Sequence, residues 1–224
     1  TPTETIRDQF VSLERKLKKE KLEKIFTEIE MPLIPVLAKI ELEGIRIEKQ
    51  KLQKLQKKVD AELEKIEKNI YTSAGVEFNI RSPKQVGEIL FETLNIKNKG
   101  QRTAGGKIST KEEVLEELKN EHPIIPLILN YREAFKIKST YIEPLIDLEQ
   151  DGKIHTTYLQ TGTATGRLSS EKPNLQNIPQ GSKWAKPLRD AFVATSNHTL
   201  IACDYSQLEL RLLAHASGDE ELIK

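Results

Sequence analysis

Apolar residues fall at Leu52, Leu55, Val59, Leu63, Ile66 and Ile70, three or four positions apart each time, with Lys and Glu filling the places between. That spacing follows the α-helical period. It draws a narrow apolar seam along a helix of about six turns, and such a seam requires a partner helix. Upstream, Phe10, Leu13, Leu17, Leu22, Ile25, Phe26 and Ile29 sit near the same period, so residues 7–30 read as one charged helix. Pro32 and Pro35 predict a turn, and Glu43-Gly44 predicts the end of a short helix with Gly44 as a left-handed cap. Ser82-Pro83-Lys84-Gln85 places a hydroxyl, then a proline, then an amide in the order of a helix start, and Val86, Ile89, Leu90 and Leu94 supply its buried side. Ser109 or Thr110 predicts the cap of a short helix through Leu118. A long helix follows from about Pro123 to Leu148, with a bend near Pro144.

The pattern changes after Gly152. The stretch HTTYLQT alternates and is β-branched as a strand would be, TLIAC at 199–203 predicts a short buried strand, and a helix is expected from about Tyr205 to Gly218. Helical pairs followed by strand-based structure predict an α+β fold with a boundary near residue 150.

Composition alters this picture little. The 224 residues suffice for a sizeable core, and 35 Lys plus Arg against 34 Asp plus Glu leave a net charge of +1. A balanced total neither requires nor excludes a nucleic-acid partner, because clustering decides that. Lys and Glu are abundant while Cys and Met occur once each, a composition of the kind found in thermophiles. Cys203 alone rules out an internal disulfide and fits a reducing cytoplasm. No apolar run is long enough to cross a bilayer, so a soluble protein without a membrane partner is expected.

Charge clusters in two places. Residues 97–107, KNKGQRTAGGK, carry Lys97, Lys99, Arg102 and Lys107 with no acid and read as a basic loop. On the long helix, Arg132, Lys136, Ser139 and Thr140 share one face, where two cations and two hydroxyls can donate to a row of phosphates. Spacing alone favours an ordinary solvated face, and the basic loop at 97–107 brings the two readings level. Two other stretches are rich in polar groups. TGTATGRLSS has Gly and Thr that admit a close ligand and one charge, Arg167. PNLQNIP gathers Asn174, Gln176 and Asn177, amides suited to base edges or sugars, though a surface loop of Asx turns has the same residues. In LIACDYSQLELR, Asp204 follows an apolar run at a place where carboxylates hold Mg²⁺, yet Asp204 and Gln207 also form a capping box for the next helix.

Taken together, TATGRLSSEKPNLQNIP and DYSQLELRLLAHASGDEELI closely resemble the family A DNA polymerases, the bacterial DNA polymerase I type. The likeness extends back through YREAFKIKSTYIEPL, FNIRSPKQVGEILFETL and MPLIPVLAKIELEGIRI, so it covers about residues 28–224. The resemblance implies a thumb of two long antiparallel helices at 31–150, the beginning of an antiparallel palm sheet with helix at 151–224, and at 1–30 the tail of a preceding exonuclease-type domain. It implies that Asp204 binds both Mg²⁺ ions, that the carbonyl of Tyr205 helps hold one, and that Ser206, Gln207 and Glu209 line the dNTP pocket, with Glu209 excluding a 2′-hydroxyl. It places Arg167 in the minor groove at the primer end and Asn174, Gln176 and Asn177 along template and duplex. Lys107, Ser109, Thr110, Arg132, Lys136, Ser139 and Thr140 become thumb contacts to the primer-template DNA backbone.

The family's fingers helix and its second metal carboxylate have no counterpart within residues 1–224. Asp219, Glu220 and Glu221 cannot substitute, since they lie beyond the glycine that ends the helix. A companion chain carrying those parts is therefore expected, and the isolated chain is expected to lack polymerase activity. The alternative function is a non-catalytic duplex-binding module. A helical scaffold built on the Leu52–Ile70 seam is a third.

Overall fold

A computed structural model describes residues 2–97 and 109–223. The architecture is α+β: mostly helical, with two small antiparallel sheets. The chain divides into two compact units, one through Val193 and one from Ala194 onward.

The first unit opens with α1 (Pro2–Lys19), and the chain then breaks at Glu20–Leu22, where Lys21 has φ 59°. From there α2 (Glu23–Ile25), a π-helical turn (Phe26–Glu30) and α3 (Met31–Glu43) run on without interruption. The single helix expected over 7–30 and the turn expected at Pro32 and Pro35 are both corrected. Pro32 lies in the first turn of α3, directly after the wide turn in which the Met31 N–H reaches back to the Phe26 carbonyl, so its missing N–H falls where the bonding has already shifted. Pro35 forfeits one further helical bond inside α3.

Gly44 ends α3 with φ 64°, as a glycine stop requires, but with ψ −175° in place of the left-handed helical value. The chain therefore passes straight into β1 (Ile45–Arg46), which pairs antiparallel with β2 (Lys153–Ile154) in the register Ile45 to Ile154. On the other side of this segment, Val193 N–H donates to the Arg46 carbonyl at 3.1 Å and Glu48 N–H to the Ala191 carbonyl at 2.8 Å.

The core forms around α4 (Lys49–Ala74), whose buried residues are Leu52, Leu55, Val59, Leu63, Ile66, Ile70 and Ala74, the expected seam plus one more turn. Gly75 closes it in the left-handed conformation. The partner is a long helical run made of α7 (Ile124–Lys136), a π-helical stretch (Ile137–Ile142) and α8 (Glu143–Asp147), which extends to the length predicted and changes its hydrogen-bond register just ahead of Pro144. Two ion pairs fix the pairing as antiparallel. Lys138 Nζ meets Asp60 Oδ1 at 2.6 Å, and Lys49 Nζ, earlier in α4, meets Glu149 Oε2, later in the chain, at 2.9 Å. The bond from Asp60, with Glu143 close by, raises the Lys138 pKa; the Lys49 bond and the Gly152 N–H hold the Glu149 carboxyl below its ordinary value.

Smaller helices close the ends of this pair. α5 (Pro83–Gly87) starts as expected, with the Ser82 hydroxyl accepting from the Gln85 N–H at 3.4 Å, and leads into a π-helical turn (Glu88–Thr93). α6 (Glu112–Glu117) has Lys111 as its N-cap, not Ser109 or Thr110. The reason is local: the Ser109 hydroxyl accepts from Lys111 N–H, and the carbonyl of Thr110 is taken by Arg132. A hairpin of β3 (Thr157–Leu159) and β4 (Ser169–Glu171), register Tyr158 to Ser170, and α9 (Ala185–Arg189) complete the unit. α3 is tied to this hairpin and to β2: Tyr158 N–H, in β3, donates to Glu41 Oε1 at 2.6 Å, and Lys153 Nζ, in β2, to Glu43 Oε1 at 2.8 Å.

The second unit contains α10 (Leu208–Ser217), ended by left-handed Gly218 as predicted, and α11 (Glu220–Ile223), capped by Asp219 Oδ1. Two expectations fail here. Residues 199–203 do not form a buried strand: Leu200 and Ile201 are 56% and 84% exposed. A strand exists only through pairing, and among the described residues nothing pairs with this segment. The helix also begins at Leu208, not Tyr205. Its N-cap is Gln207 in the left-handed conformation, without a side-chain cap, so the Asp204–Gln207 capping box is not made.

Candidate nucleic-acid interface

The antiparallel helices leave a groove of about 1000 Å³ between the start of α5, the segment before α6 and the outer face of α7. It gathers all six thumb candidates that fall among the described residues: Ser109, Thr110, Arg132, Lys136, Ser139 and Thr140. Lys107 and nearly all of the basic loop lie outside the described residues.

Their roles within the groove differ. Arg132 turns its guanidinium onto the Thr110 carbonyl, with a second, longer contact to the Thr110 hydroxyl at 3.5 Å. Burial disfavours its charge and lowers its pKa, opposed by the nearby Glu112. Arg132 thus acts as a clamp between α7 and the entry to α6. Ser109 and Thr110 are buried, and Ser139 donates to the Phe135 carbonyl of its own helix at 2.9 Å. Lys136 and Thr140 are exposed, with side chains open to solvent. Sequence reasoning missed three further cations lining the groove: Arg81, Lys84 and Lys111. They come from segments that sequence places far from α7, and only the fold brings them alongside it.

The hairpin presents the second group. The stretch TGTATGRLSS, residues 161–170, forms the connection between β3 and β4 and enters β4 at Ser169. Gly166 has φ 74°, and the Thr163 hydroxyl donates to the Arg167 carbonyl at 2.7 Å, which shapes the turn and leaves the Arg167 side chain exposed. Asn174 Oδ1 accepts from Gln176 N–H at 3.0 Å and from the Ser170 hydroxyl at 3.2 Å, an Asx turn of the kind anticipated. The Asn177 carbonyl accepts from the Tyr141 hydroxyl at 2.7 Å, so a helix residue holds this loop in place. Buried Thr156, unremarked in the sequence, donates to the carbonyls of Pro173 and Glu171 and anchors the same strip from below.

In the second unit Asp204, Tyr205, Ser206, Gln207 and Glu209 are all exposed. The Asp204 carboxylate is not folded onto the amides of α10. An exposed carboxylate with that freedom suits one metal ligand. Among the described residues, however, no three His, Cys, Asp or Glu side chains stand close enough to hold an ion. Asp204 fits as a single donor, and a two-ion site is not assembled by these residues. No described helix is long and apolar enough to cross a membrane.

Comparison with known proteins gives the family. Residues 49–224 match the profile of DNA polymerase family A. The chain is 45% identical to the thermostable DNA polymerase I of Thermus thermophilus over 218 residues, 96% of this chain and 26% of that protein. It is 44% identical to DNA polymerase I of Deinococcus radiodurans over 198 residues, 88% of this chain and 21% of that protein. Among solved structures, the POL domain of Pol1 from M. smegmatis, in complex with DNA primer-template and dNTP, superposes with a TM-score of 0.86 at 34% identity, covering 94% of this chain and 37% of that one. The chain belongs to DNA polymerase family A, and it spans about a quarter of the length of the curated relatives it matches.

Proposed function

We propose that this chain is the duplex-gripping and metal-aspartate portion of a template-directed DNA polymerase. Residues 31–150 act as the thumb, residues 151–224 as the first part of the palm, and residues 1–30 as the tail of a preceding domain. The observation that carries this reading is the groove beside α7, where cations from three separate segments converge on one surface. A polymerase must hold any sequence, and contacts to phosphates provide a grip without sequence preference. Lys136 and Thr140 make such contacts, Arg132, Ser109 and Thr110 hold the groove in shape, and Ser139 sits in its wall. Lys107 adds to the same grip.

The hairpin lies along the minor groove near the primer end, with Arg167 as its probe and Asn174, Gln176 and Asn177 along the template strand. Minor-groove acceptors occur at every base pair, so contacts there register correct pairing independently of sequence. Asp204 supplies one ligand for Mg²⁺ and the Tyr205 carbonyl another, while Ser206, Gln207 and Glu209 border the dNTP, Glu209 leaving no room for a 2′-hydroxyl. Two Mg²⁺ ions, when bound, stabilise the attacking 3′-oxygen and the leaving pyrophosphate. The remaining carboxylate and the groups that hold the triphosphate come from outside these residues, whether from a companion chain or a longer form of this one. The 224-residue chain alone therefore does not extend primers.

The grip is tested by the salt dependence of binding. Anisotropy titrations of the chain against two labelled duplexes of unrelated sequence should give equal affinities and a linear fall of log K with log[salt], about 0.9 per phosphate neutralised. Affinity insensitive to salt would favour the helical scaffold instead. A duplex-binding module without chemistry would pass this test, and Asp204 separates that reading from a polymerase.

A further inference from the structure

Arg81 is not among the groups the resemblance singles out, yet its surroundings suit it to hold an anion. It lies in the turn leading into α5, and three hydrogen bonds hold that turn. Arg81 N–H donates to Asn79 Oδ1 at 3.0 Å, Ser82 N–H to the Asn79 carbonyl at 2.9 Å, and Asn79 N–H to Gln85 Oε1 at 2.7 Å. The backbone that carries Arg81 is therefore fixed from both sides. Its guanidinium carbon sits 5.1 Å from the centroid of the Phe135 ring, on α7. Phe135 is in turn stacked on Tyr131, centroids 6.2 Å apart and planes 5° from parallel. One end of the side chain thus rests on a braced aromatic shelf.

The geometry has a chemical consequence. A guanidinium lying on a ring is held by its face, through the ring's quadrupole, and spends none of its five N–H donors. Those donors form a planar fork, the arrangement that pairs with two oxygens of one phosphate. Arg81 makes no ion pair among the described residues, and it is exposed. Arg132 across the groove is the opposite case, with its donors committed to Thr110. Lys84 is near Glu88, at 3.9 Å, and so is partly neutralised. Glu88 and Glu92 also line the groove, yet Arg81 combines a fixed position with donors that no described carboxylate pairs.

We propose that Arg81, seated on Phe135, is a further duplex-binding residue that takes one backbone phosphate at the α5 edge of the groove. The proposal rests on the reading that this groove faces DNA. The ordering entropy of a long cationic side chain is lost in folding, not in binding, so a phosphate arriving there meets a preset partner.

The test uses the full 224-residue chain and a labelled duplex of arbitrary sequence, titrated over a range of salt. Arg81→Gln should reduce the magnitude of the log K against log[salt] slope by about 0.9, one phosphate's worth, by the same amount on a second duplex of unrelated sequence. Arg81→Met, which keeps an apolar stem on the Phe135 ring, should lose the same slope, and serves if the glutamine variant melts early. Arg81→Lys should restore the slope. A merely structural role would shift the melting temperature and leave the slope alone. Wild-type slope in both charge-removing variants overturns the proposal while the grip stands. A wild-type chain with no salt-dependent affinity overturns both this proposal and the reading beneath it.

Discussion

A methyl group at position 44 has nowhere to go. Built onto Gly44, it would stand 2.8 Å from both the His155 ring and the Ile154 carbonyl, and the backbone there has φ 64°. Crowding and strain act together, so Gly44→Ala should destabilise the fold by about 2 kcal/mol, read as a shift in the urea midpoint with an unchanged slope. A cost near zero would mean that the β1–β2 contact gives way easily. The glycine was legible as a helix stop. The reason it is indispensable was not, because His155 lies more than a hundred positions away in the chain. The same limit applies to the site. The cationic row on α7 was legible from its period alone, whereas Arg81 and Lys111 belong to the groove only through the fold. The Arg132 clamp was hidden for a related reason: a guanidinium that faces a backbone carbonyl leaves no trace in the identity of the residue it meets.

Elements were legible in proportion to how local their causes are. α4 follows its apolar period to the residue, since burial on one helical face is written every three or four positions. Ser82 capped α5 because the hydroxyl and its N–H partner are three residues apart. Misreadings arose where a local signal met a remote condition. Pro32 and Pro35 signal a break, but a π-helical turn absorbed the first and α3 tolerated the second. Residues 199–203 have the side chains of a strand and no described neighbour to pair with, and Asp204 with Gln207 has the composition of a capping box without its geometry. The α4 seam offers a direct check at this scale. Leu52 is wholly buried, and Leu52→Ala should cost about 3 kcal/mol in urea unfolding. Lys54→Ala, on the exposed face, should change stability by less than about 0.5 kcal/mol. Equal effects would show that the seam does not carry the packing of the helical pair.

At the scale of the molecule, the first unit holds a core and a groove with a cationic row, and the second presents Asp204, exposed, ahead of α10. Duplex gripping alone assigns Asp204 no role, since a negative charge does not attract phosphates. The proposed function gives it one: Asp204 is a ligand for a metal ion. The central claim is thus that Asp204 serves the reaction and not the grip. Primer extension and duplex affinity, measured side by side for Asp204→Ala in a full-length family A enzyme that contains these residues, test this most directly. The account predicts extension reduced to background with duplex affinity unchanged or slightly tighter; extension that survives the substitution would contradict it.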